Sequence, residues 1–228
     1  MTNSSGSEIR TPQNTPLPVL LSASIPDEIV GTPEAQRLYY FVATIVRAVF
    51  ASRARLVFGG HPTITPLVHR LAKDQPGGPP PIVLHQLERF RDQAPPESAD
   101  TSVFGTVHWE GDPAADIAAD LECLREAMTQ RAKAAIFVGG KTTGFHGARP
   151  GIREEYEQFR ARHPQAPVYL VGAPGGETAR ILSDAAGADW EQNSLGDEAR
   201  RMVHSSDDPQ IVAGLIARDL ALSNCLPT

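Results

Sequence analysis

The sequence has only two cysteines, Cys123 and Cys225, and they form no metal-ligand motif. So few cysteines are typical of a reducing compartment, and we expect a cytoplasmic protein. The chain also lacks an apolar stretch near the roughly 20 residues of a membrane span, and its start has no apolar signal core. We therefore expect no membrane partner.

The chain has no concentration of positive charge and no familiar catalytic motif. Its formal net charge is −6, and no run of lysine and arginine exceeds two residues. Nucleic-acid binders usually present a basic face, so we expect no nucleic-acid partner. The sequence contains no Gly-x-Ser-x-Gly elbow, no His-x-x-x-His pair and no Gly-x-Gly-x-x-Gly fingerprint. These absences predict no metal site and no cofactor.

What the chain does contain is two apolar runs that each end in a glycine pair, at residues 56–60 and 136–140. Glycine lets the backbone take a positive φ and approach a ligand closely. The N–H groups at the start of a following helix favour an anion. Two such turns predict a phosphate-bearing ligand at the carboxyl edge of a parallel sheet. The candidate contacts are Gly59, Gly60, His61, Gly139, Gly140 and Lys141.

Strand-like and helix-like segments alternate along most of the chain. The predicted strands are 19–24, 55–58, 82–85, 103–109, 135–138 and 168–171, and the predicted helices are 34–51, 65–73, 112–130, 151–162, 174–185 and 209–222. This alternation predicts an α/β fold, a Rossmann-like three-layer α/β/α arrangement with a mostly parallel sheet. The polar residues 1–17 predict a disordered N-terminal tail, and residues 18–228 a single domain.

The segment from Ile136 to Glu157 resembles the SLOG superfamily, named for the Smf/DprA and Lonely Guy proteins. There a strand is followed by a Gly-Gly-x-Gly-Thr-x-x-Glu-like turn that enters a helix. Gly151, Glu154 and Glu155 match the second half of this motif. Three features depart from it: Val138 replaces the family's proline, Ile152 replaces its threonine, and ten residues, 141–150, stand where one usually does.

The resemblance covers most of residues 18–190. Ser22 and Ser24 fall at the end of the family's first strand, where their hydroxyls would contact phosphate, and Gly175 and Gly176 fall in a later strand–helix turn. The turn at residues 58–65 is similar to one in SLOG proteins of bacterial nucleotide-signalling and antiphage systems. The resemblance implies sensing of a cyclic ADP-ribose-like, NAD-derived or cyclic-nucleotide signal. A homo-oligomer or an effector protein partner would respond to it.

Two other interpretations stay open. By resemblance to Lonely Guy enzymes, Glu154, Glu155 and Arg125 would be the catalytic residues of a nucleoside 5'-monophosphate phosphoribohydrolase. A carboxylate suits cleavage of an N-glycosidic bond, although glutamate in the first turn of a helix is also favoured by the helix dipole alone. In the third interpretation the glycines form tight turns and bind nothing. The departures from the motif favour the binding protein.

The helix predicted at 34–51 has more apolar residues than one stripe facing a sheet requires. Tyr39 and Phe50 are eleven residues apart, near the same face, and would lie outside that stripe. Exposed aromatic pairs usually mark a contact surface. SLOG relatives commonly pair through such helices, so the resemblance and this pair together imply an oligomer interface on this helix or on the helix at 112–130. The alternative is that nearby loops cover them.

Overall fold

The computed structural model describes residues 15–184 and 191–225. Six parallel strands form one sheet in the order β4-β3-β2-β1-β5-β6. They are Pro18–Ser24 (β1), Arg55–Gly59 (β2), Ile82–Leu87 (β3), Thr106–Glu110 (β4), Ala134–Gly139 (β5) and Val168–Val171 (β6). The predicted parallel sheet is confirmed. Residues 1–14 of the predicted tail lie outside the described residues.

Helices cover both faces of this sheet. They are Pro33–Ala51 (α1), Thr65–Lys73 (α2), Ile117–Arg131 (α3), Gly151–Arg162 (α4), Gly176–Asp184 (α5), Asp197–Ser205 (α6) and Pro209–Cys225 (α7). One apolar core joins the sheet to α1, α2, α6 and α7, and a second joins it to α3, α4 and α5. The predicted three-layer α/β/α fold is therefore confirmed. No helix within the described part of the chain is long and apolar enough to cross a membrane.

Capping explains where two of these helices begin. The Thr32 hydroxyl accepts a hydrogen bond from the Ala35 N–H, and Pro33 opens α1. In contrast, the helix predicted from Asp112 begins five residues later. Asp112 instead closes a turn with Ala115, and Asp116 caps α3. Asp112 and Asp116 are both good N-cap residues, so the sequence alone did not show which of them begins the helix.

The expectation that Tyr39 and Phe50 lie exposed together is wrong. Phe50 is only 7% exposed and belongs to the core, and Tyr39 is partly buried against the same core. The helix α7 packs along α1, and Phe50 belongs to the apolar core that α1, α7 and the sheet share. The sequence predicted α7 as a helix but not its position. An oligomer stays a prediction, which light scattering at micromolar concentration would check against the chain mass of 24.5 kDa.

The order of the strands places a reversal between β1 and β5. The chain leaves β1 for β2 on one side and later enters the sheet again at β5 on the other side. In open α/β sheets, ligands bind outside the carboxyl ends of the strands at such a switch point. Here those ends meet where Ser24 pairs in register with Gly139.

Candidate functional site

A cavity of about 470 Å³ opens at the carboxyl edge of the sheet, across the switch point. Its walls come from the ends of β1, β2 and β3, from α3, from the loop after β5 and from the start of α4. The predicted site residues that line it are Ser22, Ser24, Gly59, Gly60, His61, Arg125, Lys141, Gly151 and Glu155. The predicted site residues outside its lining are Gly139, Gly140, Glu154, Gly175 and Gly176. Residues far apart in the sequence thus meet at one edge.

Arg125 joins α3 to the start of α4. Its guanidinium Nη1 donates to a carboxylate oxygen of Glu154, and its Nε lies 3.8 Å from Glu155 Oε1. The Arg125 side chain is only 8% exposed, so this ion pair is shielded from water. Gly151 permits the arrangement, because a Cβ there would lie 2.7 Å from Arg125 Nη2. The two glutamates therefore differ: Glu154 holds the arginine, and Glu155 faces the cavity.

Burial raises the pKa of the Glu155 carboxyl above its ordinary value of 4.5. The nearby Ser22 hydroxyl and the Arg125 guanidinium oppose this shift, and the negative charge of Glu154 adds to it. The cavity thus holds a carboxylate that is costly to ionise. Such groups are common at functional sites, because a raised pKa lets a carboxyl exchange a proton near neutral pH.

The start of α4 is a ready site for an anion. Pro150 occupies the N-cap position and gives no side-chain cap to the first-turn N–H groups, which have no partners within the helix. Beside it, the Ser22 hydroxyl is buried in the cavity wall, close enough to the Glu155 carboxyl to oppose the rise of its pKa. A hydroxyl can rotate, so this group can turn from that carboxyl to a ligand oxygen in the cavity.

The glycine pair after β5 has a structural task. Gly139 and Gly140 have φ of 73° and 98°, so they form the turn that leads away from the strand. The Glu177 N–H donates to the Gly140 carbonyl over 3.1 Å, and the Thr178 hydroxyl donates to the Gly139 carbonyl over 3.1 Å. The turn is therefore fixed to the start of α5. Gly176 belongs to the same contact, which lies outside the cavity lining.

His61 and Lys141 approach the cavity from opposite sides of the switch point. His61 Nδ1 accepts from the Thr63 N–H at 3.3 Å and lies 2.8 Å from Thr63 Oγ1, so the ring is held against its own turn. The Lys141 ammonium adds a point charge suited to phosphate. Both residues thus fit the anion-binding role predicted from the sequence.

Comparison with known proteins identifies the family. A family model described as the SLOG cluster3 family matches residues 34–202, which is most of the chain. This chain belongs to the SLOG cluster3 family. The resemblance found in the sequence is thereby confirmed. No curated protein matches the chain.

The solved structures show the same fold. The X-ray structure of TM1055, a structural-genomics target, matches 89% of this chain and 99% of its own chain with a TM-score of 0.57. Its sequence identity to this chain is 17%, so the likeness concerns the fold alone. Membership of a SLOG family supports a nucleotide-related function.

The long insertion in the SLOG motif is part of the cavity. Residues 141–150 stand where the motif has one residue, and Lys141, Gly144, Phe145 and His146 from this loop line the cavity. Gly144 and Gly147 have φ of 62° and 102°, so the loop turns back on itself at both places. The insertion thus changes the walls of the SLOG site and leaves Gly151 and Glu155 at its edge.

Sequence reasoning missed the wall beyond β3. The residues it did not identify are Gln86, Leu87, Phe90, Gln93, Leu121, Leu124 and Met128. Residues 87–99 show no helical or strand period, and they form two short 3-10 segments, Glu88–Gln93 and Pro96–Ala99. The sequence did offer one indication. Residues 87–99 follow a predicted parallel strand, so they begin at the same carboxyl edge of the sheet as the glycine turns.

We expect Glu155→Gln to make this SLOG family member more stable at neutral pH. A raised carboxyl pKa means that the folded state binds more protons than the unfolded state, so stability falls as pH rises above 4.5. Glutamine at position 155 removes that cost, and the ion pair between Arg125 and Glu154 remains. The unfolding midpoint, followed by circular dichroism, should rise by about 2–4 °C at pH 7.5 and by less at pH 4.5.

Glu154→Gln is the matched control, because it breaks the ion pair that Arg125 makes. Its midpoint should fall at pH 7.5. If Glu155→Gln is destabilised as much as the control, the prediction is wrong, because the Glu155 carboxylate then takes part in a stabilising ion pair.

Proposed function

We propose that this chain binds a phosphate-bearing, nucleotide-derived molecule in the cavity at the switch point. One observation carries the proposal: the buried Ser22 hydroxyl lies in the same cavity wall as the start of α4, where no side chain of the described residues caps the first N–H groups. Together they offer hydrogen-bond donors to an anion. Membership of the SLOG cluster3 family supports a nucleotide as the bearer of that anion.

The proposal extends to sensing. The ligand would be a cyclic ADP-ribose-like, NAD-derived or cyclic-nucleotide signal in bacterial defence, as the SLOG resemblance implies. Two features favour binding over turnover. Ile152 stands where the motif has threonine, and the Arg125 guanidinium is already engaged by Glu154. Lys141 and His61 add polar contacts for a bound phosphate without a hydrolytic role.

Thermal shifts with matched pairs of nucleotides and nucleosides test this function. A phosphorylated ligand at 100 times its dissociation constant should add about 2.7 kcal/mol, or about 5–10 °C. Its dephosphorylated partner should add much less. Ser22→Val is the matched variant, because valine suits a strand, removes the hydroxyl and narrows the cavity. A flat response to every phosphorylated compound would count against the proposal.

A phosphoribohydrolase is the second candidate, because Arg125 and Glu155 lie 3.8 Å apart in the cavity wall. The raised pKa of Glu155 also suits proton transfer to a leaving base. Chromatography after long incubation with adenosine monophosphate separates the two candidates. Free adenine that disappears with Glu155→Gln would favour the hydrolase, and intact nucleotide favours the binding protein.

A further inference from the structure

The cavity has a charged side and an apolar side. Its charged side chains, Arg125, Lys141 and Glu155, come from α3, from the loop after β5 and from α4. Toward β2 and β3 the described residues of the wall include no aspartate, glutamate, lysine or arginine, and Leu124 and Met128 of α3 pack there near Gly59. A molecule that fits both sides carries its charge at one end and an uncharged, apolar group at the other.

The two sides are well separated. The charged side extends from Lys141, which follows β5, to Glu155, which lies near Ser22 of β1, and the opposite wall reaches β3, two strands beyond β1. Adjacent strands are about 4.8 Å apart, so the wall at β3 is about 10 Å from β1. The crevice is therefore long enough to hold the phosphate and the base of a nucleotide apart.

Phe90 is the aromatic side chain of the apolar wall. It lines the cavity and is still 38% exposed. Its surroundings are fixed: Arg91 pairs with Glu88 through two hydrogen bonds and lies 4.1 Å over the Trp109 ring. An exposed ring on an anchored segment is a preorganised surface for a flat heterocycle.

Two carboxamides accompany this ring. Gln86 is committed to the fold, since its Nε2 donates to Ser98 Oγ over 2.5 Å. Gln93 lines the cavity from an exposed position, and no charged residue lines the wall from 86 to 95. A carboxamide pairs with the N6 and N7 of adenine, whereas guanine favours arginine or lysine at O6 and N7.

Building on the proposed function, we infer that residues 86–95 form the base-recognition wall and select adenine. Phe90 stacks on the base, and the Gln93 carboxamide reads its edge. The loop after β5 and the start of α4 hold the phosphate at the far end.

Titration calorimetry with adenosine monophosphate and ADP-ribose, against guanosine monophosphate and ribose 5-phosphate, tests the wall. Phe90→Ala should weaken both adenine compounds by about 5- to 150-fold and leave ribose 5-phosphate unchanged. Phe90→Trp should keep the affinity. Gln93→Leu should reduce the preference for adenine over guanine by at least about fivefold.

Tyr40→Ala is the control, because Tyr40 is 51% exposed on α1 and lies outside the cavity lining. It should change no affinity. The inferred base-recognition wall would be wrong if nucleotides bound Phe90→Ala as tightly as they bind the wild type. It would also be wrong if nucleotides bound the wild type no more tightly than ribose 5-phosphate does. Neither result would contradict the proposed function. Failure of every phosphorylated probe to bind would overturn the proposed function itself.

Discussion

Gly176→Ala should destabilise the fold by about 2–5 kcal/mol, the sum of overpacking and of a left-handed backbone imposed on alanine. Gly176 has a φ of 73°, and a Cβ there would lie 2.6 Å from the Gly139 carbonyl carbon and 2.7 Å from the Gly140 oxygen. Backbone atoms cannot move aside as a flexible side chain can. The turn after β5 would therefore separate from α5. Urea denaturation followed by circular dichroism measures the loss.

Gly175→Ala is the matched control for this prediction. Gly175 has a similar φ of 82°, but a Cβ there would meet no atom of the described chain within 4 Å beyond its immediate neighbours. The alanine should therefore cost only about 1–2 kcal/mol, which is the left-handed strain alone. Equal losses for the two variants would show that the contact between α5 and the Gly139–Gly140 turn contributes nothing to stability.

Arg125→Ala should cost about 3–5 kcal/mol and abolish ligand binding. The substitution leaves Glu154 and Glu155 close together without their cation, in a place where the arginine side chain is only 8% exposed. Removing one partner of a buried ion pair is strongly destabilising, because the remaining charge has no compensation. The start of α4, where the phosphate is proposed to bind, would also lose its ion pair with α3. Urea denaturation and the thermal-shift pairs measure the two effects.

Arg162→Ala is the control for the loss of an arginine. Arg162 pairs with Glu126, and the two side chains are 35% and 62% exposed. Exposed pairs contribute about 0–1 kcal/mol, so this variant should stay near the wild type and keep its binding. An Arg125→Ala variant as stable as Arg162→Ala, with ligand binding intact, would contradict the role given to Arg125.

Much of the fold followed from local patterns. Apolar runs of strand length, the Thr32–Pro33 start and the three- and four-residue spacing in α1 are each written within a short stretch of chain. The positions of elements relative to one another were less accessible. Phe50 belongs to an apolar core that also includes residues of α7, which begins at Pro209. The sequence near residue 50 does not show which distant elements complete that core.

The site divides in the same way. Ser22, Gly60 and Lys141 were predicted because each stands near or just after a strand end, and they line one cavity because the strand ends of a parallel sheet share one edge. Their part in binding stays a prediction. Gly139 and Gly176 were predicted to contact a ligand, but their backbones pack against each other. Glycine permits close approach by a ligand and equally by another backbone segment, and the sequence does not show which of the two occurs.

Native mass spectrometry tests the central claim most directly. The protein would be incubated with a defined pool of mononucleotides, cyclic nucleotides, NAD-derived nucleotides and their dephosphorylated nucleosides. We predict that the wild type retains one phosphorylated compound and that Ser22→Val loses it. Retention of no phosphorylated compound, or equal retention by the wild type and Ser22→Val, would contradict a phosphate-binding cavity at the switch point.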